Sequence, residues 1–434
     1  MPNKNIFCNT PWYELHIYWD GSLGICCQED HKLYSGSDYN IATTSIAEWF
    51  NSEPAKKFRQ ALQGEIPHSA CRRCYVEENF GGNSRRLKSN QKSVIFTRQA
   101  FQESYSQSPH HKHFAHSNAN YGATDTLPVD LHIDLGNYCN LACKMCNPRA
   151  SSTIAVQEIA WGIESSRQYI GTDWTRNEAV WEKFLAEVVA IPNLKNIHFM
   201  GGETLLTNRL EQLFDRFIEL KKFDVCFSFV TNGTVYNPSL VKKFKLFQRV
   251  GIEVSIETVD QHNSYQRQGT DTAIVLENID QYLAASNNSS ITVTLRPAPS
   301  LLTVGYYVGL LRYALDKKLI VKSNLCFDPK FLHPTVLPVS AKKKYLPAYV
   351  SLLKELEDVN IGVDFNASDP HNYRIVVKEQ AQMIKNLLES PAPVDAEALL
   401  KQLVNHCRRW DGVYGLDARV LYPELATVWD QYGY

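Results

Sequence analysis

The sequence predicts an α/β protein built around a largely parallel sheet, with a small β-containing module ahead of it. Three observations carry that expectation. Apolar strand-like runs alternate with segments of helical period beyond residue 127, short strand-like segments with turn residues occupy residues 1–76, and the cysteines fall into two groups. With 434 residues, 44% of them hydrophobic, the chain can bury one large core and a smaller one.

In the first region, Leu15–Trp19 and Leu23–Cys26 flank Asp20-Gly21, a local hairpin signal. Residues 77–126 turn polar and biased, with Gly81-Gly82 and the run Ser108-Pro109-His110-His111-Lys112-His113, and read as a linker or insertion. From 127 to 335, strands are expected at Val129–Leu135, Asn196–Met200, Val225–Val230, Ile252–Ile256 and Ile291–Leu295, with a weaker one near Leu319–Phe327. Helical patterns at Ala179–Val189, Leu210–Leu220, Leu240–Phe247 and Thr272–Leu283 lie between them, so the region reads as successive βα units. Residues 336–434 form a helical extension, with patterns at about 340–358, 376–388 and 395–408 and an aromatic tail. No repeat of the length a solenoid needs is visible.

Charge and hydropathy exclude several classes. Lys and Arg number 45 against 46 Asp and Glu, so there is no basic excess to mark a nucleic-acid binder. No signal-peptide core and no apolar run of membrane-spanning length occurs, so the expectation is a cytoplasmic protein with no membrane partner. Eleven cysteines in such a chain point to metal ligation rather than to a disulfide framework. Cys8, Cys26, Cys27, Cys71 and Cys74 lie early, Cys139, Cys143 and Cys146 cluster, and Cys226, Cys326 and Cys407 stand apart. Two groups imply two metal sites.

The second group, Cys139-Asn140-Leu141-Ala142-Cys143-Lys144-Met145-Cys146, puts three thiols at C-x3-C-x2-C spacing directly after the first strand of the βα region. Thiolates suit zinc and iron-sulfur clusters alike, but a structural zinc site takes four protein ligands, whereas three cysteines leave one iron of a cubane open. With His198-Phe199-Met200-Gly201-Gly202-Glu203 after the second strand, Thr231-Asn232-Gly233 after the third and Ser255-Ile256-Glu257 after the fourth, the chain resembles the radical S-adenosylmethionine superfamily. That resemblance implies a partial (β/α)6, TIM-like barrel, a 4Fe-4S cluster on Cys139, Cys143 and Cys146, and S-adenosylmethionine on its open iron. It further implies cofactor contacts from Met145, Gly201, Gly202, Glu203, Thr231, Asn232, Ser255, Glu257, Arg267 and Arg296. Met145 replaces an aromatic residue common in the family, and Glu257 an aspartate. Arg267 and Arg296 read equally well as solvated surface arginines.

The first group, Cys8, then Asp20-Gly21-Ser22-Leu23-Gly24-Ile25-Cys26-Cys27, then Cys71-Arg72-Arg73-Cys74, resembles the SPASM/twitch auxiliary-cluster module of the same enzymes. It implies a second 4Fe-4S cluster on Cys8, Cys26, Cys71 and Cys74, with Cys27 a neighbour or substitute. The module commonly follows the barrel and here precedes it, and four thiolates satisfy zinc as well. His110, His111, His113 and His116 read as an exposed loop, Cys226 and Cys326 as core thiols, Cys407 as without a role, and the C-terminal aromatics as surface packing.

The resemblance implies an enzyme that reductively cleaves S-adenosylmethionine to a 5'-deoxyadenosyl radical and abstracts a substrate hydrogen atom, with a reductant such as flavodoxin or ferredoxin. Twitch and SPASM relatives modify peptides or proteins by crosslinking, epimerisation or oxidation, which sets the expected substrate. A small-molecule radical dehydrogenase or natural-product enzyme, and a non-enzymatic zinc or iron-sulfur scaffold, are the alternatives. No separate leader-peptide-binding domain is apparent.

Overall fold

A computed structural model describes residues 6–29, 39–64, 66–79, 84–95, 115–359 and 372–434. His110, His111 and His113 lie outside them. Ten strands are present among the described residues: β1 Glu14–Ile17, β2 Leu23–Gly24, β3 Asp130–Asp134, β4 Ala142–Cys143, β5 Asn196–Met200, β6 Cys226–Thr231, β7 Arg249–Val254, β8 Arg267–Gln268, β9 Ile291–Leu295 and β10 Ile320–Val321. After β3, each of the main-sheet strands β5, β6, β7 and β9 is followed by helix before the next strand of that sheet. No helix among the described residues is long and apolar enough to cross a membrane.

The chain forms two compact units. One holds residues 1–139, 148–229 and 239–250, the other 140–147, 230–238 and 251–434, so β6 and β7 lend their first residues to one unit and their last to the other.

In the first unit the strand order is β6-β5-β3-β1-β2, with β1, β3, β5 and β6 parallel and β2 antiparallel to β1. The small N-terminal module is therefore not a separate layer, because its β1 extends the sheet beside β3. The alternation explains the join. Leu15 and Ile17 pair in register with Leu131 and Ile133, and these with Ile197 and Phe199, all fully buried. A strand with the same period-two apolar face adds to that edge without exposing it. Trp181, Phe184, Leu213, Phe214 and Phe217 from helices Glu178–Ala190 and Arg209–Glu219 are buried, and Phe214 meets Phe227 of β6 at 4.5 Å between ring centroids. Residues at the alternate positions are polar: His16, His132, His198 and Ser228 form one row across four strands.

Part of the stretch expected as a polar linker, Arg85–Ile95, is helix. Buried Ser84 starts it, its hydroxyl accepting from the Leu87 amide at 3.2 Å.

In the second unit the order is β10-β9-β7, and the Ser255 amide just past β7 donates to Thr231 O of β6 at 2.8 Å. β7 sits two to three residues earlier than expected, and the weak sixth strand shrinks to two residues. A second, two-stranded sheet pairs β4 antiparallel with β8, matching Cys143 with Arg267. Helices Val339–Glu355, Asn372–Glu389 and Ala396–Tyr414 lie in the C-terminal part of the second unit.

Candidate metal centres

Cys8, Cys26, Cys71 and Cys74 line one cavity of the first unit, together with Thr10, Phe58, Arg85 and Arg86. Four elements converge there. Cys8 precedes the short turn Thr10–Trp12, Cys26 follows β2, Cys71 ends the turn Ser69–Cys71, and Cys74 lies in helix Arg72–Asn79. The Asp20-Gly21 turn sets the hairpin that delivers Cys26, with Asp20 Oδ1 accepting from the Ser22 amide at 3.0 Å and Gly21 at φ +83°. Placing an αL residue here requires glycine, since a Cβ would also meet Asn40 Oδ1 at 2.9 Å.

None of the eleven cysteines forms a disulfide. Burial pushes the Cys8 thiol up to about 11, and burial together with the charge of Cys8 pushes Cys71 up to about 12. Burial likewise raises Cys74. Thiols crowded in this way stay protonated until a cation displaces the protons, and a site of convergent thiols with no bridge suits an iron-sulfur cluster or zinc. The donor set therefore fits the implied group.

Cys27 does not line the cavity. Its thiol lies with a Glu14 carboxylate oxygen and a His132 ring nitrogen, all within 4.8 Å of one another. It shares a hydrogen bond with Cys26 that lowers Cys27 and raises Cys26, and the charges of Arg85 and His132 lower Cys27 further. Of the two adjacent cysteines, Cys26 alone lines the cavity.

Of the second thiol group, Cys139 belongs to the first unit, and Cys143 and Cys146 to the second. In the first unit the Cys139 amide donates to Ser152 Oγ at 3.4 Å, and Thr153 Oγ1 donates to Cys139 O at 2.5 Å. Gly201 and Gly202 press on the same loop with φ +79° and +53°, and a Cβ would stand 2.5 Å from Gly136 O and 2.2 Å from Tyr138 O respectively. The Glu203 amide donates to Tyr138 O at 2.8 Å, while its carboxylate accepts from the Leu205 amide at 3.1 Å. The Gly-Gly-Glu segment is thus a support for the loop that carries Cys139.

In the second unit the strand pairing brings Arg267 to Cys143, with Nη1 3.7 Å from Sγ. Arg267 is also held by fully buried Glu257, through Nη2 at 2.6 Å and Nε at 3.0 Å, and Glu257 Oε2 accepts from the Ala298 amide at 2.5 Å. Burial raises the Cys143 thiol, while the Arg267 charge works against that rise. Neither Arg267 nor Arg296 is a solvated surface residue: Arg296 is half-buried and forms an ion pair with Glu253 of β7. Asn232 Nδ2 donates to Asn140 Oδ1 at 2.8 Å, tying the Thr231-Asn232 segment to the cysteine loop. Ser255 and Thr231 are buried neighbours, and Met145 and Cys146 are half-buried.

Lys144 was not singled out by its spacing, yet it is 1% exposed. Its Nζ donates to Tyr265 O at 2.7 Å and sits 3.7 Å from the Tyr265 ring centroid and 5.4 Å from that of Trp410. Burial depresses it to about 8. Cys407, assigned no role, is buried beside Tyr265. Cys326 is a core thiol as expected, whereas Cys226 is only half-buried, 3.8 Å from Gln248 Oε1. The histidine row has a signal of its own in the sequence, an apolar-His-apolar triplet in three strands, Leu15-His16-Ile17, Leu131-His132-Ile133 and Ile197-His198-Phe199. Arg85 and Arg86 carry no such signal, because they fall in the biased stretch.

Comparison with known proteins adds two domain matches. Residues 133–298 match the Radical SAM superfamily, and residues 8–75 match an iron-sulfur cluster-binding domain, SPASM. A radical SAM cyclopropyl synthase, TigE, of Paramaledivibacter caminithermalis is 24% identical over 144 residues, which cover 33% of this chain and 30% of that protein. Among solved structures, anSMEcpe with bound AdoMet gives a TM-score of 0.40 at 18% identity, covering 54% of this chain and 62% of that one. Streptococcus suis SuiB bound to S-adenosylmethionine gives 0.35 at 12% identity, covering 62% and 59%. The chain thus spans about three tenths of the curated relative and about three fifths of the solved structures it matches.

Proposed function

Because this chain carries a Radical SAM superfamily domain preceded in sequence by an iron-sulfur cluster-binding SPASM domain, we propose that it is a radical S-adenosylmethionine enzyme that modifies a peptide or protein. The observation that carries the reading is the separation of the thiols into two sets: four lining one cavity, and three on a loop with a buried Arg267–Glu257 pair beside Cys143. Cys139, Cys143 and Cys146 would hold one 4Fe-4S cluster, and Cys8, Cys26, Cys71 and Cys74 the other. When bound, the first cluster and S-adenosylmethionine supply one-electron cleavage of the sulfonium, giving methionine and a hydrogen-abstracting 5'-deoxyadenosyl radical.

This chain's residues do the holding. Gly201 and Gly202 admit the Gly136–Tyr138 backbone at distances no side chain allows, which fixes the stem of the cysteine loop. Arg267 places a positive charge at Cys143 and lowers the cost of keeping a buried thiolate there. Lys144, buried against Tyr265 and Trp410, anchors the loop between its second and third cysteines. A peptide or protein substrate, and a reductant such as flavodoxin or ferredoxin, are what the resemblance to twitch and SPASM enzymes implies.

Anaerobic reconstitution followed by dithionite-driven turnover tests the proposal. Wild type is expected to hold about eight irons and form deoxyadenosine, whereas Cys143→Ala keeps about four and forms none. Wild type with intact clusters and no deoxyadenosine would refute the enzyme; zinc in place of iron would turn the reading to a scaffold. A product seen only when a candidate precursor peptide is supplied would support the peptide class.

A further inference from the structure

Arg85 opens the helix Arg85–Ile95 and lines the cavity of Cys8, Cys26, Cys71 and Cys74. Its Nη2 is spoken for: it donates to Glu14 Oε2 and lies 2.9 Å from His132 Nε2. Its Nε is buried and meets no acceptor among the described residues. A guanidinium N–H that is out of reach of water and lacks an acceptor is costly unless something in the cavity accepts from it. Arg86, the other arginine on the cavity, differs: its Nε donates to Glu78 Oε1 at 3.0 Å, its Nη2 to Glu78 Oε2 at 2.5 Å and its Nη1 to Phe7 O at 2.9 Å.

Resting on the reading that the four thiols hold an iron-sulfur cluster, we propose that Arg85 is a positioning residue whose Nε–H donates to a sulfur of that cluster and thereby sets its reduction potential. The physical reason is charge. A cluster on four thiolates gains negative charge on reduction, and a buried hydrogen-bond donor with a positive charge stabilises the reduced form more than the oxidised one. Arg85 also touches Glu14 and His132, so the residue that tunes the cluster is tied directly to the polar row on β1 and β3.

The test uses full-length protein in the Cys143→Ala background, where iron-sulfur signals arise from the auxiliary site alone. Redox titration followed by electron paramagnetic resonance is expected to give a more negative midpoint for Arg85→Gln, and a smaller displacement in the same direction for Arg85→Lys, at unchanged iron content. Pulsed spectra of protein labelled with 15N-arginine are expected to show a nitrogen coupling to the reduced cluster that survives Arg86→Lys. That spectrum decides the matter even where Arg85 variants lose the cluster. An unchanged midpoint in both Arg85 variants, or no arginine coupling in cluster-replete Arg86→Lys, would overturn the proposal. Zinc or no metal at the auxiliary site in the parent protein would overturn the functional reading first, and this inference with it.

Discussion

Gly202 has φ +53°, and a Cβ there would lie 2.2 Å from Tyr138 O, which is backbone and cannot yield as a side-chain tip would. Gly202→Ala is therefore expected to cost at least about 1–3 kcal/mol from the left-handed conformation alone, with the clash in addition. Measured by denaturant unfolding and iron content, it should lower both; a variant with wild-type values would show that the segment does not brace the loop. Lys144 makes a prediction with a sign. Its folded pKa near 8 lies below the unfolded value of about 10.4, so between those pH values the unfolded chain binds more protons and stability rises with pH. Lys144→Met should lack that rise. Equal pH profiles from 8 to 10.4 for the two proteins would argue against a depressed, buried ammonium.

Helix Glu53–Gln63 owes its place to Arg59, 1% exposed and bonded to three backbone carbonyls: Pro11 at 2.9 Å, Gly122 at 3.1 Å and Phe50 at 2.7 Å. Each carbonyl belongs to a different segment, so one side chain joins the Thr10–Trp12 turn beside Cys8 to two others. Arg59→Met keeps much of the volume and leaves the three acceptors without this donor. A loss of roughly 3 kcal/mol or more is expected, because orphaned buried acceptors cost about 1–3 kcal/mol each. The loss should be accompanied by weakened retention of the auxiliary metal under chelator challenge. Helix Arg85–Ile95 shows why composition misled about its segment. Polar, Ser- and Asn-rich sequence reads as linker, but Asn9 and Asn90 bond directly, Asn90 Oδ1 accepting from the Asn9 amide at 3.1 Å, and such pairings between distant residues leave no local pattern.

In the second unit a chain of contacts runs from the cysteine loop to the final residue. Lys144 Nζ bonds Tyr265 O, Tyr265 Oη donates to Asp411 Oδ1 at 2.9 Å, and Asp411 Oδ2 accepts from the Ala418 amide at 2.7 Å and from Tyr434 Oη. The aromatic tail is therefore more than surface packing. Removing residues 426–434 is expected to quicken hydrogen exchange at 141–146 and to speed iron loss from the first cluster while sparing the second. Unaltered exchange at that loop would show that the tail carries no load for it.

Much of the protein is legible in its sequence. Period-two apolar runs located β5 and β9 to the residue, because a buried strand must alternate regardless of its neighbours. Cysteine spacing marked both thiol groups, since ligands on one short loop are constrained by the chain itself. What spacing could not supply was which distant segments meet. That β1 joins the sheet beside β3, that β8 lays Arg267 against Cys143, that Cys26 enters the cavity while Cys27 meets His132, and that Arg85 lines it too all depend on strand register and helix placement. Those are set by the packing of side chains far apart in the chain, and no local pattern records them.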